Sequence, residues 1–350
     1  MTIRRDSKKY GTGHDDGLEP LVPLDVASLD SVDALVKAMS KTAFGGRRLG
    51  EAADALESMV RDEECFRVVT ISGAMTIAKQ GLVLCEMIER GWVQAVVATG
   101  ALMTHGVVEG AGMTHFKHRA AMKDEELFSK GYNRVYDTIE LEKNLDDTEA
   151  LLDSVLSELE PGRTLSSHTI LRSIGESLDR SDAGRAILRS AVHHQVPIYV
   201  PAFTDSELGL DFAIHNRRLA AEGKPTFSFD PFLDLEDFAD RIRQHERLGI
   251  FTIGGGVPRN WAQQIAPYLE ISADRLGQNE PIRRYRYAVR ICPEPEHWGG
   301  LSGCSYSEGV SWGKFIPESE GGRHVEVHAD ATIAWPIIVR AVIERLEASH

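Results

Sequence analysis

Hydrophobic and polar positions along the chain switch between a helical and a strand-like spacing. Apolar residues recur every three to four positions in 31–39 and in 49–60, which predicts two N-terminal helices with a turn at 44–47 between them. Short apolar, often β-branched runs predict buried strands at 66–71, 93–99, 196–202, 250–253 and 285–291. Helical spacing predicts further helices at 75–89, 146–159, 167–178, 186–193, 260–269 and 331–346.

The alternation of these strands and helices predicts the fold class. The strands are apolar at nearly every position, which is typical of a parallel sheet covered by helices on both faces. The sequence therefore predicts an α/β fold. The polar segment 1–20, which contains Gly11, Gly13 and Gly17, is predicted to be a mobile N-terminal arm.

Several predicted strands end in small, turn-forming residues, where ligands of parallel sheets bind. The triplet Gly254, Gly255 and Gly256 follows one strand and precedes a helix, so its backbone N–H groups could hold a phosphate. The triplet does not match G-x-G-x-x-G, and a plain tight turn explains it at least as well. Asp205 lies just past another strand, where a carboxylate either binds ribose hydroxyls or caps the next helix.

The tetrapeptide 311–314 holds the candidate for covalent chemistry. Lys314 follows Trp312 and a glycine, and a lysine beside an aromatic side chain can lose its water shell. Burial lowers the pKa of an amine and frees it for Schiff-base formation. Glu308 and Trp312 could hold a cationic substrate beside it. The alternative is an ordinary exposed loop.

Composition and charge narrow the class of function. The 350 residues carry 39 basic and 53 acidic side chains, a net charge of −14, which disfavours nucleic-acid binding and agrees with a cationic partner. No run approaches the roughly 20 apolar residues of a membrane helix, and no apolar stretch follows the basic start as in a secretory signal. The four cysteines lack zinc-ligand spacing, which favours a reducing cytoplasm.

Three histidines, His105, His115 and His118, are candidates for a metal site. No carboxylate or cysteine joins them at ligand spacing, so the prediction is surface or hydrogen-bonding histidines and no metal. The chain also lacks G-x-S-x-G, Walker A and H-E-x-x-H sequences, which disfavours serine hydrolases, P-loop NTPases and zincins.

A set of spaced motifs resembles the deoxyhypusine synthase family. The motifs are 311–314 with Ser302 and Glu308, 200–205 with 208–209, 254–257, 329–331, 133–134 and 170–175. They run in collinear order from about residue 44 to the last helix. The resemblance implies a single NAD-binding domain at 21–350, with a Rossmann-like parallel sheet, helices on both faces and extra N-terminal helices.

The resemblance also implies an activity and its residues. Enzymes of this family are homotetramers with active sites at a dimer interface. They use NAD to move a 4-aminobutyl group from spermidine, through an imine on a lysine, to a protein lysine. Lys314 would be that lysine, and the amine pocket would contain Trp312, Glu308, Ser302, Asn260 and His105. NAD would contact Ser72, Gly73, Ala74, Thr99, Gly100, Ala101, Asp205, Gly254, Gly255, Gly256, Asp330 and Ala331.

Four positions depart from the family pattern. Asn260 replaces a histidine, His105 lies where the synthases carry acidic residues, and Leu210 and Leu301 replace amine-binding aspartates. Neighbouring Asp211 is a possible substitute for one of them. These changes leave two alternatives to a synthase-like polyamine transferase. One is a homospermidine synthase-like enzyme with a small diamine acceptor, and the other is a catalytically altered protein that binds NAD or a polyamine. The protein acceptor, if there is one, is not identified.

Overall fold

The computed structural model describes residues 5–181 and 184–348. In these residues the helices are α1 (Val32–Ser40), α2 (Phe44–Arg61), α3 (Gly81–Glu89), α4 (Gly100–Gly110), α5 (Asp124–Ser129), α6 (Glu142–Ser157), α7 (Ser167–Arg180), α8 (Ile187–His193), α9 (Glu207–Ala221), α10 (Pro231–Arg243), α11 (Gly256–Leu276), α12 (Tyr306–Ser311) and α13 (Ala331–Glu347). The strands are β1 (Cys65–Ile71), β2 (Ala95–Ala98), β3 (Phe116–Lys117), β4 (Tyr132–Val135), β5 (Thr138–Leu141), β6 (Thr164–Leu165), β7 (Ile198–Tyr199), β8 (Ser228–Phe229), β9 (Arg247–Ile253), β10 (Tyr285–Ile291) and β11 (Arg323–Val327).

Six of these strands form one parallel sheet with the order β11-β10-β9-β1-β2-β7. The chain starts at β1 in the middle, builds outward through β2 to β7, then returns to the other side of β1 and builds outward from β9 to β11. Numbered along the chain, this is the doubly wound order 3-2-1-4-5-6, which leaves a crevice between the carboxyl ends of β1 and β9. The prediction of a Rossmann-like α/β fold is confirmed.

The two faces of the sheet have separate hydrophobic cores, because successive strand side chains point to opposite sides. Val69, Val96 and Phe251 face a large core that includes side chains of α2, α3, α4 and α13. Val68 and Ile250 face a smaller core formed with α10, α11, Tyr306 at the start of α12, and Phe315. Helices α4 and α11 therefore lie against opposite faces.

The predicted N-terminal helices are present as α1 and α2, and they pack against α13. The Arg345 guanidinium of α13 is buried and donates to Asp33 of α1 at 2.5 Å and to Asp54 of α2 at 2.7 Å. Residues 5–20 are exposed almost throughout and include a short 3-10 turn at Ser7–Lys9. Residues 1–4 of the predicted arm lie outside the described residues, and its mobility stays a prediction.

Three predicted boundaries were wrong for identifiable reasons. The turn expected at 44–47 is the exposed first turn of α2 in spite of its two glycines, because it continues the helix whose buried residues begin at Leu49. The helix expected at 75–89 begins only at Gly81, because Lys79 has φ 61° and breaks the helical path. The strand expected at 196–202 is reduced to Ile198–Tyr199, because Pro197 and Pro201 on either side have no N–H to donate to a ladder.

Three parts of the sheet structure were not predicted at all. Strands β6 and β8 form a two-stranded parallel sheet of their own. Strand β11 carries polar residues at alternate positions, and it pairs in parallel with β10 at the edge of the main sheet. Strands β3, β5 and β4 form a small antiparallel sheet between α4 and α6, where the sequence shows no clear strand periodicity. In the described residues no helix combines the length and apolarity needed to cross a membrane.

Candidate active site

Loops from five strands meet at the carboxyl edge of the main sheet. They carry all the residues predicted to contact NAD: Ser72, Gly73 and Ala74 after β1; Thr99, Gly100 and Ala101 after β2; Gly254, Gly255 and Gly256 after β9; Asp330 and Ala331 after β11; and Asp205, which follows the short edge strand β7 after a few residues. All of these strands are parallel, so their carboxyl ends face the same side.

The β1 and β9 loops are joined at the crevice. Ser72 Oγ accepts a hydrogen bond from Gly255 N at 2.9 Å, and Ser72 N donates to Ile253 O at 3.0 Å. Gly254 has φ 80°, and a Cβ there would overlap Ser72 Oγ. A Cβ on Gly255 would lie 2.7 Å from the Cα of Ser302. Glycine is therefore required by close approach on two sides, which a plain solvent-exposed turn would not need.

Helix N-termini at this edge differ in their capping. Thr99 caps α4, Ser206 caps α9 and Asp330 caps α13, each through its side-chain oxygen. Helix α11 begins after Gly255 without a side-chain cap, which leaves its first N–H groups available to an anion. The alternative prediction for Asp205, that it caps α9, was wrong because Ser206 performs this role. Asp205 itself is exposed at the same edge.

Lys314 lies against the other side of α11. Its backbone N donates to Gly309 O at 3.0 Å and its O accepts from Tyr285 N at 2.9 Å, so the segment after α12 is fixed beside β10. The residue is 8% exposed, and its Nζ donates to Asn260 Oδ1 at 3.1 Å. The exposed-loop alternative is wrong for Lys314, whereas Trp312 is 64% exposed.

The charge of the Lys314 amine is disfavoured by its surroundings. Burial lowers its pKa below the ordinary value for lysine, the nearby Arg259 guanidinium acts in the same direction, and Cys304 and Glu308 oppose both. No carboxylate in the described residues forms an ion pair with Nζ; its hydrogen-bond partner is the neutral amide of Asn260. Such an amine is partly available as a nucleophile at lower pH than an exposed lysine.

Two buried arginines, which the sequence did not single out, hold the loop beside this lysine. Arg259 donates to Cys304 O at 2.6 Å, and Arg290 donates to Ser302 O at 2.5 Å and to Cys304 O at 2.8 Å. Arg290 also pairs with Glu326 Oε2 at 2.6 Å. A basic residue next to the apolar run at the end of a predicted strand, as Arg290 is after Ala288 and Val289 in β10, is the signal that could have identified it.

His105 belongs to a second cluster, on the opposite face of the sheet. His105 Nδ1 lies 2.9 Å and His115 Nε2 lies 2.6 Å from the same oxygen, Glu140 Oε2. Both imidazoles and the carboxylate are buried. The prediction of surface or hydrogen-bonding histidines is confirmed for hydrogen bonding, with His105 on Glu140 and His115 on Lys79, whereas a surface position is wrong for both. The expectation that no carboxylate joins them was wrong, because Glu140 reaches them from β5, a strand the sequence did not reveal. The three side chains also form a group that could hold a metal ion.

The structure thus divides the predicted amine-binding residues. Asn260, Ser302, Glu308 and Trp312 lie on α11, α12 or the adjoining segments with Lys314, whereas His105 lies on α4 against the other face. A single chain does not bring the two groups into one pocket.

The two leucines at the family's aspartate positions are exposed. Leu210 is 59% and Leu301 is 48% exposed, so neither serves the core of this chain. Beside Leu210, Asp211 is partly buried, and burial together with Glu149 and Glu207 raises its pKa to about 6. This carboxyl is therefore a weaker partner for an ammonium ion at neutral pH than an ordinary aspartate.

Comparison with known proteins gives one consistent result. The family model described as deoxyhypusine synthase matches residues 34–342. A protein of Methanosarcina acetivorans named probable deoxyhypusine synthase 2 is 35% identical over 329 residues, 93% of this chain and 90% of its own length. A deoxyhypusine synthase-like protein of Chlorobaculum parvum is 31% identical over 91% of this chain and 88% of its own. A crystal structure of a proposed deoxyhypusine synthase from Entamoeba histolytica has a similar fold, with a TM-score of 0.58 over 93% of this chain and 97% of its own at 14% identity.

Proposed function

Because the chain belongs to the deoxyhypusine synthase family, whose members transfer aminobutyl groups, we propose that it is an NAD-dependent aminoalkyl transferase that carries the 4-aminobutyl group of a polyamine as an imine on Lys314. The observation that carries this proposal is the environment of the Lys314 amine, which disfavours its charged form. It is buried, its pKa is lowered, and its hydrogen-bond partner is an uncharged amide. A lysine kept only for structure would ordinarily pair with a carboxylate or reach solvent.

The proposed role of Lys314 is nucleophilic. Oxidation of the secondary amine of a polyamine removes a hydride from carbon and a proton from nitrogen, which leaves an imine. The free amine of Lys314 adds to the imine carbon and expels the diamine fragment as an amine, so that the four-carbon group remains as an imine on Nζ. Asn260 orients Nζ through its Oδ1 without providing a charge that would keep the lysine protonated.

The residues at the carboxyl edge fit NAD. The crevice lies where the strand order reverses, glycines keep the β9 loop free of side chains, and the uncapped start of α11 offers N–H groups to a pyrophosphate. We propose that exposed Asp205 binds the ribose hydroxyls. When bound, NAD supplies the acceptor for the hydride of the polyamine and can return it to the product.

Replacing Gly254 by alanine is expected to weaken NAD binding by about tenfold or more. Alanine at φ 80° costs roughly 1 kcal/mol, and its methyl would push Ser72 Oγ away from Gly255 N. Gly223 is the matched control, since it has φ 69° and open space around its Cβ position. Calorimetric titration with NAD measures both variants, and equal affinities for the two would contradict the proposed cofactor crevice.

Leucines at the two positions where the family carries aspartates favour a second candidate pair of amine donor and acceptor. Exposed Leu210 and Leu301 offer no charge to the ammonium end of a long polyamine. A homospermidine synthase-like reaction, with a small diamine as the acceptor, requires fewer such contacts. Incubation with putrescine alone and with spermidine plus a translation factor 5A protein separates the two candidates by their products.

A catalytically altered protein that binds NAD or a polyamine is the third candidate, and the amide at position 260 motivates it. An amide cannot exchange a proton near neutral pH, so an acid or base must come from elsewhere. If Lys314→Ala left the physiological function of the protein unchanged, this candidate would be favoured.

We further propose a homotetramer with active sites at a dimer interface. The separation of His105 from Lys314 within one chain supports this, because a second copy could bring the two groups together. The four cysteines are free thiols, which agrees with the proposed cytoplasmic location.

Borohydride trapping tests the proposal directly. Protein with NAD and spermidine, putrescine, homospermidine or agmatine in turn is expected to yield a reduced adduct on Lys314, located by peptide mass spectrometry. Since the pKa of Lys314 is lowered, trapping should rise with pH and level off below the ordinary lysine value of 10.5. Glu308→Gln removes a charge that favours protonation and should move the rise to lower pH. The absence of any adduct on Lys314 with all four amines would refute the proposal.

A further inference from the structure

The protons of the cluster around Glu140 can be assigned from its partners. Lys79 Nζ lies 2.7 Å from His115 Nδ1 and 2.9 Å from Glu109 Oε1. An ammonium group can only donate, so Nδ1 of His115 is the acceptor and carries no hydrogen. The proton of the neutral imidazole is therefore on Nε2, the nitrogen 2.6 Å from Glu140 Oε2.

Glu140 is the anionic centre of the cluster. Its Oε1 accepts from Leu141 N at 2.9 Å and from Asn144 Nδ2 at 2.7 Å, and its Oε2 faces the two imidazoles. Burial would raise the pKa of this carboxyl, but its contacts with His105, His115 and Asn144 hold it well below its usual range. Three N–H groups, of Leu141, Asn144 and His105, hydrogen-bond the buried negative charge, and His115 Nε2 lies beside it at 2.6 Å without the geometry of a hydrogen bond.

The same reasoning assigns the hydrogen of the neutral His105 imidazole to one ring nitrogen. An ionised carboxylate only accepts, so His105 Nδ1 carries the hydrogen directed at Glu140, 2.9 Å away. Nε2 then carries a lone pair, and no residue in the described part of the chain forms a hydrogen bond with it. Orientation of an imidazole by a buried carboxylate, with the second nitrogen left bare, is the arrangement of a general base.

We propose that His105 is the base that receives the substrate amine. Its Nε2 first accepts a hydrogen bond from a substrate ammonium and then its proton, R–NH3+ plus imidazole giving R–NH2 plus imidazolium. The imidazolium is stabilised by Glu140, and the released amine has the lone pair it needs as a nucleophile. Glu140, His115 and Lys79 are positioning residues. This inference rests on the proposed function and supplies the proton acceptor that the amide of Asn260 cannot be.

A bound divalent metal is the rival explanation for this cluster. His105, His115 and Glu140 are a ligand set that zinc accepts, and their ligand atoms lie within 4.8 Å of one another. A metal would need bare nitrogens facing a common point, whereas both ring nitrogens that face Glu140 carry hydrogens. The contacts of 2.6 and 2.9 Å are also hydrogen-bond lengths. The proton assignment therefore favours the base.

Diethylpyrocarbonate labelling tests the inference without relying on turnover. This reagent acylates bare imidazole nitrogens, and peptide mass spectrometry follows each histidine separately. His105 is expected to react, and putrescine or spermidine, added with NAD, should slow its labelling at least fivefold relative to that of exposed His297, which reports the reagent consumed by the free amines. Glu140→Gln should slow labelling of His105 about tenfold and leave exposed His297 unchanged as the internal reference. Lack of labelling at His105, or labelling indifferent to Glu140→Gln and to amines, overturns the proposal.

Two further measurements distinguish a failure of this inference from a failure of the proposed transferase function. A stoichiometric metal in the purified protein, lost in Glu140→Gln, would replace the base by a metal site. His105→Gln should lower kcat about 100-fold, with a smaller change in KM. If Lys314 forms no borohydride adduct while amines still protect His105, the proposed transferase fails but the amine site stands. If Lys314 is trapped and His105 is not protected, only the present inference fails.

Discussion

Lys314→Arg is expected to lower turnover at least about a thousandfold and to abolish borohydride trapping. Arginine keeps the length and the donor that Asn260 accepts, but its guanidinium stays protonated at all accessible pH values and does not form an imine. The covalent route is then lost, and only activity from binding and orientation remains. Single-turnover product formation and the mass of the peptide containing residue 314 measure the two effects.

The matched control is Lys143→Arg. Lys143 is an exposed lysine of α6 that pairs with Asp147 at 2.9 Å, so the same substitution there should leave activity and trapping unchanged. The Lys314→Arg protein should still bind NAD, because the carboxyl-edge residues are separate from Lys314. A trapped adduct of unchanged yield in the Lys314→Arg protein, now on another lysine, would show that residue 314 is not the carrier.

Arg290→Met is expected to lower the free energy of unfolding by about 3–5 kcal/mol. Arg290 is 1% exposed, pairs with Glu326 at 2.6 Å and donates to the carbonyls of Ser302 and Cys304. Methionine fills much of the volume but leaves a largely buried carboxylate without its cation and removes one donor from each of two carbonyls, which keep only their contacts with Arg259. Urea denaturation, followed by circular dichroism and fluorescence, measures the change.

Two companion variants test the cause of this loss. Arg340→Met removes an exposed pair within α13, with Glu344 at 2.8 Å, and should cost less than about 0.5 kcal/mol. Glu326→Gln added to Arg290→Met should recover part of the stability, because it removes the uncompensated charge. If the single and double variants were equally unstable, loss of the loop contacts rather than the buried charge would explain the effect.

The candidate site was predictable to the extent that its residues are neighbours in sequence. Glycines after β9 and the tetrapeptide ending at Lys314 could be recognised because each is a local pattern. Glu140 could not, because it lies 35 residues from His105 and on a short strand that only tertiary pairing stabilises. The sequence pattern predicted no carboxylate beside the histidines, but the fold brings Glu140 next to His105 and His115.

The residue that caps helix α9 also could not be assigned from the sequence alone. Either Asp205 or Ser206 could cap α9 by side-chain chemistry. Gly100 packs directly against Ser206, and Ser206 Oγ donates to Phe203 O at 2.8 Å, so packing from the start of helix α4 fixed the serine in the capping position.

The amino-acid sequence by itself determined eight of the helices, the strands β1, β2, β9 and β10, the parallel α/β class and the loops that end at the ligand edge, because hydrophobic period, turn residues and caps act over a few positions. Helices α4, α5, α9, α10 and α12 and the edge strand β11 were recognised only in the fold. The tertiary structure alone decided that Lys314 faces an amide, that two buried arginines hold its loop, and that His105 faces Glu140 on the opposite side of the sheet. These outcomes depend on contacts between residues far apart in the chain, whose free energy comes from burial and charge in the folded interior rather than from local propensity.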